Sequence, residues 1–367
     1  MKFDVGMASI EAEVKGSILV IRSSEPLTVL SSAVLNGGLV EEHGIINVQV
    51  PEGSGEDKND EHWNAEAFLK QQAQDLGLPD GDVVGLMTAA KMKNVATANR
   101  KLGNTALALF VTAGTTVAVT AGEPAASKSQ PKPGTINIIL LVNGNMTDGC
   151  MVEAHKTITE AKTVALRELD LRSQFSGDLA SGTLTDTVAV ACTKKGEPIS
   201  FAGTFTLIGE LIAQCVRQCV KEAIHKQENF SANRPLTARL AERGLQTENL
   251  LALINDKHVP VGTPQHQRLV KEVERSLADE KIALLVLASL RFDDDLSKGL
   301  LPANGEDGVD QAAFEEIVLS AIRGFNGKKD RSKANRLKLQ LRNEQTLGPF
   351  TTCVLEAILK NAYSTVK

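Results

Sequence analysis

Gly134-Thr135-Ile136-Asn137-Ile138-Ile139-Leu140-Leu141-Val142-Asn143 is the stretch on which the fold reading turns. It is apolar almost throughout and of strand length, which predicts a strand buried on both faces. Asn137 is one of the few polar side chains in the run, and a buried amide needs partners. A helix is expected next, from about Met151 to Leu169. It puts Ile158, Ala161, Ala165 and Leu169 on one face and Glu153, His155, Glu160 and Lys162 on the others. The turn Gly182-Thr183-Leu184-Thr185-Asp186-Thr187 then feeds a second strand through Val190, crowding hydroxyls and a carboxylate together. Polar groups thus gather at the ends of apolar elements, where sites are usually built.

Upstream, the chain from Ile10 to Val50 reads as strands. Ser17–Ile21 and Leu27–Leu30 are short β-rich runs separated by a polar break, and Ile45–Val50 is another. Asn36-Gly37-Gly38 supplies a turn with positive-φ positions. Residues 52–59 are rich in Gly and acids and read as an exposed loop. A helix is expected over Asn64–Leu76, then apolar strands at Val83–Ala90 and Ala106–Thr112. Ala125–Pro133 reads as an extended surface connection. After a turn at Lys194–Pro198, a long helix is expected from Thr206 to Gln227. Strands outnumber helices and often follow one another directly, which favours an α+β domain with a mixed sheet. From about residue 230 strand patterns stop. Thr263-Pro264 marks a helix start, and Leu269, Val273 and Leu277 follow at spacings of four. Ile282–Leu290, Val309–Ile322 and Phe350–Tyr363 add further helices. The fold expectation is therefore an α+β mixed-sheet domain over residues 1–228, followed by an all-α domain over 235–367.

A chain of 367 residues, 42% hydrophobic, has the length of two domains and an ordinary globular composition. A net charge of −5, with one Trp and one Tyr, argues against nucleic acid as the main partner. No apolar run reaches the ~18 residues of a membrane span. The opening Met1-Lys2-Phe3-Asp4-Val5 lacks the apolar core of a signal peptide, so a cytoplasmic protein is expected. The five cysteines show no metal spacing, and Cys215 and Cys219 read as small buried hydrophobes.

Several of these segments, taken in order, resemble the adenosylcobinamide amidohydrolases. They are Leu30-Ser31-Ser32-Ala33-Val34-Leu35-Asn36-Gly37-Gly38, Val111-Thr112-Ala113-Gly114, Gly134-Thr135-Ile136-Asn137, Glu160-Ala161-Lys162 and Gly182-Thr183-Leu184-Thr185-Asp186. The resemblance spans about the first 225 residues. It implies hydrolysis of the amide that joins a corrinoid ring to its aminopropanol arm, giving adenosylcobyric acid, with the corrin cobalt as part of the substrate. Amide hydrolysis needs a nucleophile or activated water, a proton donor for the leaving amine and donors for the oxyanion. No nucleophile elbow or metal-binding His pair is present, so the candidates lie on the resembling motifs. Asp186 is read as a base on water or as the group that orients Lys162. Lys162 is read as donor to the leaving amine or the oxyanion, and Thr183 and Thr185 as nucleophile or donors. Asn137 would hold a substrate amide, with Glu160 and His155 as further proton carriers. Asn36, Gly37, Gly38, Gly114, Gly134 and Thr135 would line the substrate site, the glycines by letting backbone approach a large flat ligand.

In the second region Asp293, Asp294, Asp295, Glu306, Asp307 and Asp310 form an acidic stretch read as lying between two helices. Such oxygens suit a hard cation such as Mg²⁺, which would polarise a phosphate ester; an acidic solvated loop fits the same residues. Leu236-Thr237-Ala238-Arg239-Leu240-Ala241-Glu242-Arg243-Gly244 onward resembles the helical phosphatases that include archaeal α-ribazole phosphatase. That resemblance implies an α-ribazole phosphate substrate and makes Asp293, Asp294, Asp307 and Asp310 the candidate metal ligands. Three functions stay open on the sequence. They are an amidohydrolase joined to a phosphatase, an amidohydrolase with a structural helical appendage, and a corrinoid-binding protein without catalysis.

Overall fold

The structure, a computed structural model, describes residues 1–51, 64–78, 81–124, 134–243, 262–301 and 348–366, with 313, 314, 316–318, 320 and 321 between the last two. It divides into two compact units, Met1–Ala232 and Asn233–Lys367.

In chain order the first unit contains β1 (Lys2–Phe3), β2 (Ile10–Lys15), β3 (Ile18–Ser31), β4 (Gly38–Gln49), α1 (Ala65–Asp75), β5 (Val83–Thr88), β6 (Ala96–Leu102), β7 (Thr105–Ala113) and β8 (Ala118–Val119). There follow β9 (Ile136–Asn143), β10 (Asn145–Met146), α2 (Asp148–Glu168), β11 (Gly182–Thr183), β12 (Thr187–Cys192), β13 (Pro198–Ile199) and α3 (Leu207–Glu228). Among the described residues nine strands form one mixed sheet, in the order β1-β2-β3-β12-β9-β7-β6, with β4 and then β5 joined to the other edge of β3. The β12–β9 and β4–β5 pairs are parallel and the other pairs antiparallel. β9 sits in the middle and is buried along nearly all its length, as its apolar run predicts.

The two expected runs at Ser17–Ile21 and Leu27–Leu30 prove to be one strand. β3 runs unbroken for 14 residues, and its register to β4 shifts between Arg22 and Leu27. Pro26 lies in that irregularity, where its missing N–H costs no ladder bond. The bend lets the sheet fold back on itself around an apolar core. That core takes Leu19, Ile21, Leu27 and Val29 from β3, Ile45 from β4, Val84 and Leu86 from β5, Phe110 from β7 and Ile139 and Leu141 from β9. The alternate residues of β7, β9 and β12 face outward and pack under α2 and α3, through Ile138, Leu140, Val190, Ile158, Ala165, Ile212 and Val220 among others. A third cluster seats α1, through Leu69 and Ala73, on the outer face of β4 and β5. Each fully buried Val, Leu or Ile contributes about 1.5–3 kcal/mol.

The helices begin where capping residues permit. Thr147 accepts from Cys150 N (3.2 Å) and Thr206 from Gly209 N (3.0 Å), while Asn229 at φ +53° ends α3. All five cysteines are buried free thiols.

In the second unit the described residues are largely helical: α4 (Leu236–Ala241), α5 (Pro264–Ala278), α6 (Glu280–Ser297) and α7 (Pro349–Val366). Thr263 caps α5 at His266 N (3.2 Å), and Leu269, Val273 and Leu277 are buried against Val286, Val354 and Ile358. Asp293–Asp295 were expected between two helices and are not there. They occupy the last turns of α6. The apolar period of Ile282–Leu290 runs on through Phe292, and Asp293 has a specific partner: its carboxylate accepts from Phe350 N (3.0 Å) and Thr351 N (2.7 Å) at the start of α7. A carboxylate there complements the positive helix N-terminus. The expected loops at 52–59 and 125–133, the carboxylates Glu306, Asp307 and Asp310, and most of the Val309–Ile322 helix lie outside the described residues. Asp293→Ala should lower the unfolding free energy of the second unit by about 1 kcal/mol. The loss, read from urea unfolding, should be the same with Mg²⁺ and with EDTA, because the side chain caps a helix.

Candidate active site

Of the expected residues, Thr135, Asn137, Lys162, Thr183, Thr185 and Asp186 come together where β9 and β12 begin. β12 pairs with β9 in parallel, placing Thr187 beside Asn137. The carboxylate of Asp186, one residue before β12, is the hub. It accepts from Ile136 N (3.0 Å) and Thr183 N (3.1 Å), from the Thr183 hydroxyl, and from the Lys162 ammonium on α2. An ionised carboxylate offers about four lone-pair sites, and these donors fill them. Lys162 is therefore not on an outer face of its helix, as the periodicity predicted, but 6% exposed. A buried ammonium is tolerable there because Asp186 neutralises it.

Gly182 makes the pair possible. A Cβ at Gly182 would lie 2.5 Å from Asp186 Oδ2 and 2.9 Å from Lys162 Nζ. Gly182 opens the Gly-Thr-Leu-Thr-Asp motif, but the need for a glycine there is steric and leaves no signal in the sequence.

A second polar string runs through the strand ends. Thr135 Oγ1 donates to Thr185 O (2.7 Å) and lies 3.4 Å from Asn137 Oδ1. Thr185 Oγ1 donates to Thr135 Oγ1 (3.1 Å). Asn137, 1% exposed, donates from Nδ2 to Asn47 Oδ1 (2.9 Å) and Met87 O (2.7 Å), and Asn47 Nδ2 donates to Thr112 Oγ1 (2.9 Å). Asn137 thus joins β9 to β4 and β5 across the folded sheet. Asn47 and Thr112 complete this string; neither was singled out from sequence as a site residue, since a lone Asn in a strand carries no signal of its partner.

Gly134 is needed for close packing: its Cβ would meet Val117 N at 3.0 Å and Gly114 O at 3.1 Å. Gly114 N donates to Thr135 O (2.9 Å), and Glu228 at the end of α3 binds Thr115 through both its N–H and its hydroxyl. Glu228, too, was not anticipated. Asn36, at φ +52°, donates to Val83 O (2.9 Å), so it ties the 32–38 loop to β5. That loop also reaches β12, where Val188 N donates to Ser32 Oγ (3.2 Å). Gly37 and Gly38 complete the turn. Glu160 is exposed on α2. His155 is half-buried, and burial, then the Lys162 ammonium, hold its pKa below the ordinary histidine value. The thiols are poor nucleophile candidates. Burial pushes Cys150 up to about 11 and Cys219 up to about 12, and raises Cys192 and Cys215.

In the second unit, both oxygens of Asp293 are taken by α7, and Asp307 and Asp310 lie outside the described residues. Among the described residues no three His, Cys, Asp or Glu side chains converge as a metal site. No helix among them is long and apolar enough to cross a membrane.

Residues 4–232 match the adenosylcobinamide amidohydrolase family. The chain belongs to that family. An uncharacterised protein of Methanocaldococcus jannaschii is 36% identical over 187 residues, 46% of this chain and 73% of that one. An adenosylcobinamide amidohydrolase of Methanosarcina mazei is 30% identical over 190 residues, 49% of this chain and 82% of that one. A solved structure of a Pyrococcus horikoshii protein covers 60% of this chain and 79% of its own at 12% identity and a TM-score of 0.30, a likeness that carries no argument.

Gly182→Ala should separate Lys162 from Asp186 and destabilise the first unit by about 1–3 kcal/mol, read from thermal unfolding. Lys162→Gln should raise the His155 titration midpoint followed by NMR, since one of the two causes that depress it is removed while burial remains.

Proposed function

We propose that the first unit hydrolyses the aminopropanol amide of adenosylcobinamide to adenosylcobyric acid. The observation that carries this reading is the Asp186 hub, which holds an ammonium and a hydroxyl on one largely buried carboxylate inside motifs that resemble the family's. The Thr183 hydroxyl already donates to Asp186, so its oxygen has a base in contact. Attack by that oxygen, or by a water in its place, on the amide carbon passes the proton to the carboxylate. The C–N bond then breaks, and the leaving amine takes a proton from Lys162 or from Asp186. With Thr183 as nucleophile, water next cleaves the ester; either route consumes one water and yields the acid and the amino alcohol. Asn137 steadies the strand ends on which these groups stand.

For the second unit the reading is an all-α domain that dephosphorylates α-ribazole phosphate. Its support is the resemblance through Leu236–Gly244 and the acidic stretch to Asp310. No step is assigned to a metal, because Asp293 serves as a helix cap.

Incubation with adenosylcobinamide and chromatography for adenosylcobyric acid tests the first activity. Asp186→Asn should cut product formation by at least about 100-fold, with the far-ultraviolet circular dichroism unchanged. Phosphate release from α-ribazole phosphate by the full chain should continue in that variant. Wild-type protein that leaves the amide intact would refute the first assignment, and absence of phosphate release would refute the second.

A further inference from the structure

The face of the sheet that carries α2 and α3 does not stop at α2. Register sets Leu30 beside Val190, and Leu39 beside Leu30. Both leucines therefore share the face of Val188 and Val190, which belong to the core under α2. α2 packs on β12, and α3 on β7 and β6. β3 and β4 carry this face onward past the flank of α2 that no other described helix covers. Leu39 there is 48% exposed, although it is aliphatic and on a strand, and Leu30 is half-buried.

That flank of α2 has a definite composition. Glu168 pairs with Arg217 and Lys221 of α3, and Glu153 and Thr157 bind Ala202 just ahead of α3. These residues mark the α3 side. At 100° per residue His155, Thr159 and Lys162 fall on the opposite side, the side of β3 and β4, whose stretch at Leu30 and Leu39 has no described helix over it. Lys162 reaches Asp186, and Leu184, between Thr183 and Asp186, is exposed. Ser32 N donates to Val188 O (3.1 Å), which holds the loop carrying the exposed Val34 at the same end.

We propose that this shelf, floored by Leu30 and Leu39 and walled by His155 and Thr159, seats the flat ring of the corrinoid with the scissile amide turned toward Lys162 and Asp186. The inference rests on the amidohydrolase reading and supplies what the buried hub alone lacks, a surface for a large ligand. Strand side chains stand roughly perpendicular to their sheet and make a level apolar floor. A macrocycle has apolar faces and an amide-bearing edge, so it asks for such a floor beside polar groups. The shelf is continuous with the hub, which selects the substrate of that hub as its occupant.

Leu39→Ser should weaken binding of adenosylcobinamide, followed by absorbance titration, by about tenfold, the worth of one aliphatic contact. KM should rise in step while kcat stays within about twofold. Leu39→Met should restore the wild-type affinity, and Phe205→Ser, at a fully exposed apolar side chain elsewhere, should leave it unchanged. Wild-type affinity in a folded Leu39→Ser variant that still cleaves the amide overturns the shelf and leaves the amidohydrolase standing. Leu39-dependent binding without cleavage by the wild type does the reverse.

Discussion

One buried ion pair organises the functional end of the first unit. Lys162 comes from a helix, Asp186 from a turn, and the backbone of Gly182 passes so close that a side chain has no room. Neither charge would stay buried alone, since desolvating an unpaired ion costs several kcal/mol. The pair therefore fixes three things together: the seating of α2, the course of the 182–186 turn and the entry of β9, whose Ile136 N–H also ends on Asp186. A group so fully engaged is pre-organised. It can accept charge during a reaction without its surroundings having to reorient.

The second constraint is the bend in β3. A flat sheet could not bring β4 and β5 over β9, and Asn137 would then be an amide buried without partners. With the sheet folded back, Asn47 Oδ1 and Met87 O accept from its Nδ2. Chemistry at one end of the unit and closure of its core thus depend on the same strands, as expected where a rigid scaffold carries a site.

Much of this was legible in the residues. The unbroken apolar run of β9, the helix starts at Thr206 and Thr263 and the turn at Asn36–Gly38 follow from local physical chemistry. The mixed sheet follows from the succession of strands. What stayed hidden depends on contacts between distant segments. Helical periodicity alone leaves Lys162 off the apolar face, because its partner lies beyond the end of its helix; the pairing with Asp186 follows only from the family resemblance. The polar Ser23-Ser24-Glu25-Pro26 stretch reads as a break, yet the strand runs through it at a register shift. Asp293 looked like a loop ligand because the N–H groups it binds belong to a helix more than fifty residues later. Gly182 was quoted as part of a turn, but its necessity is steric and shows only against Asp186 and Lys162.

The link between Asn47 and Asn137 spans 90 residues of chain. During synthesis the amide of Asn47 emerges long before its partner, and the inner faces of β3, β4 and β5 stay wet until β9 arrives to cover them. Closure of so long a loop is slow and comes late. The amino-terminal third must therefore wait, partly assembled and apolar, for the middle of the polypeptide, and that interval is when the nascent protein is most exposed to aggregation.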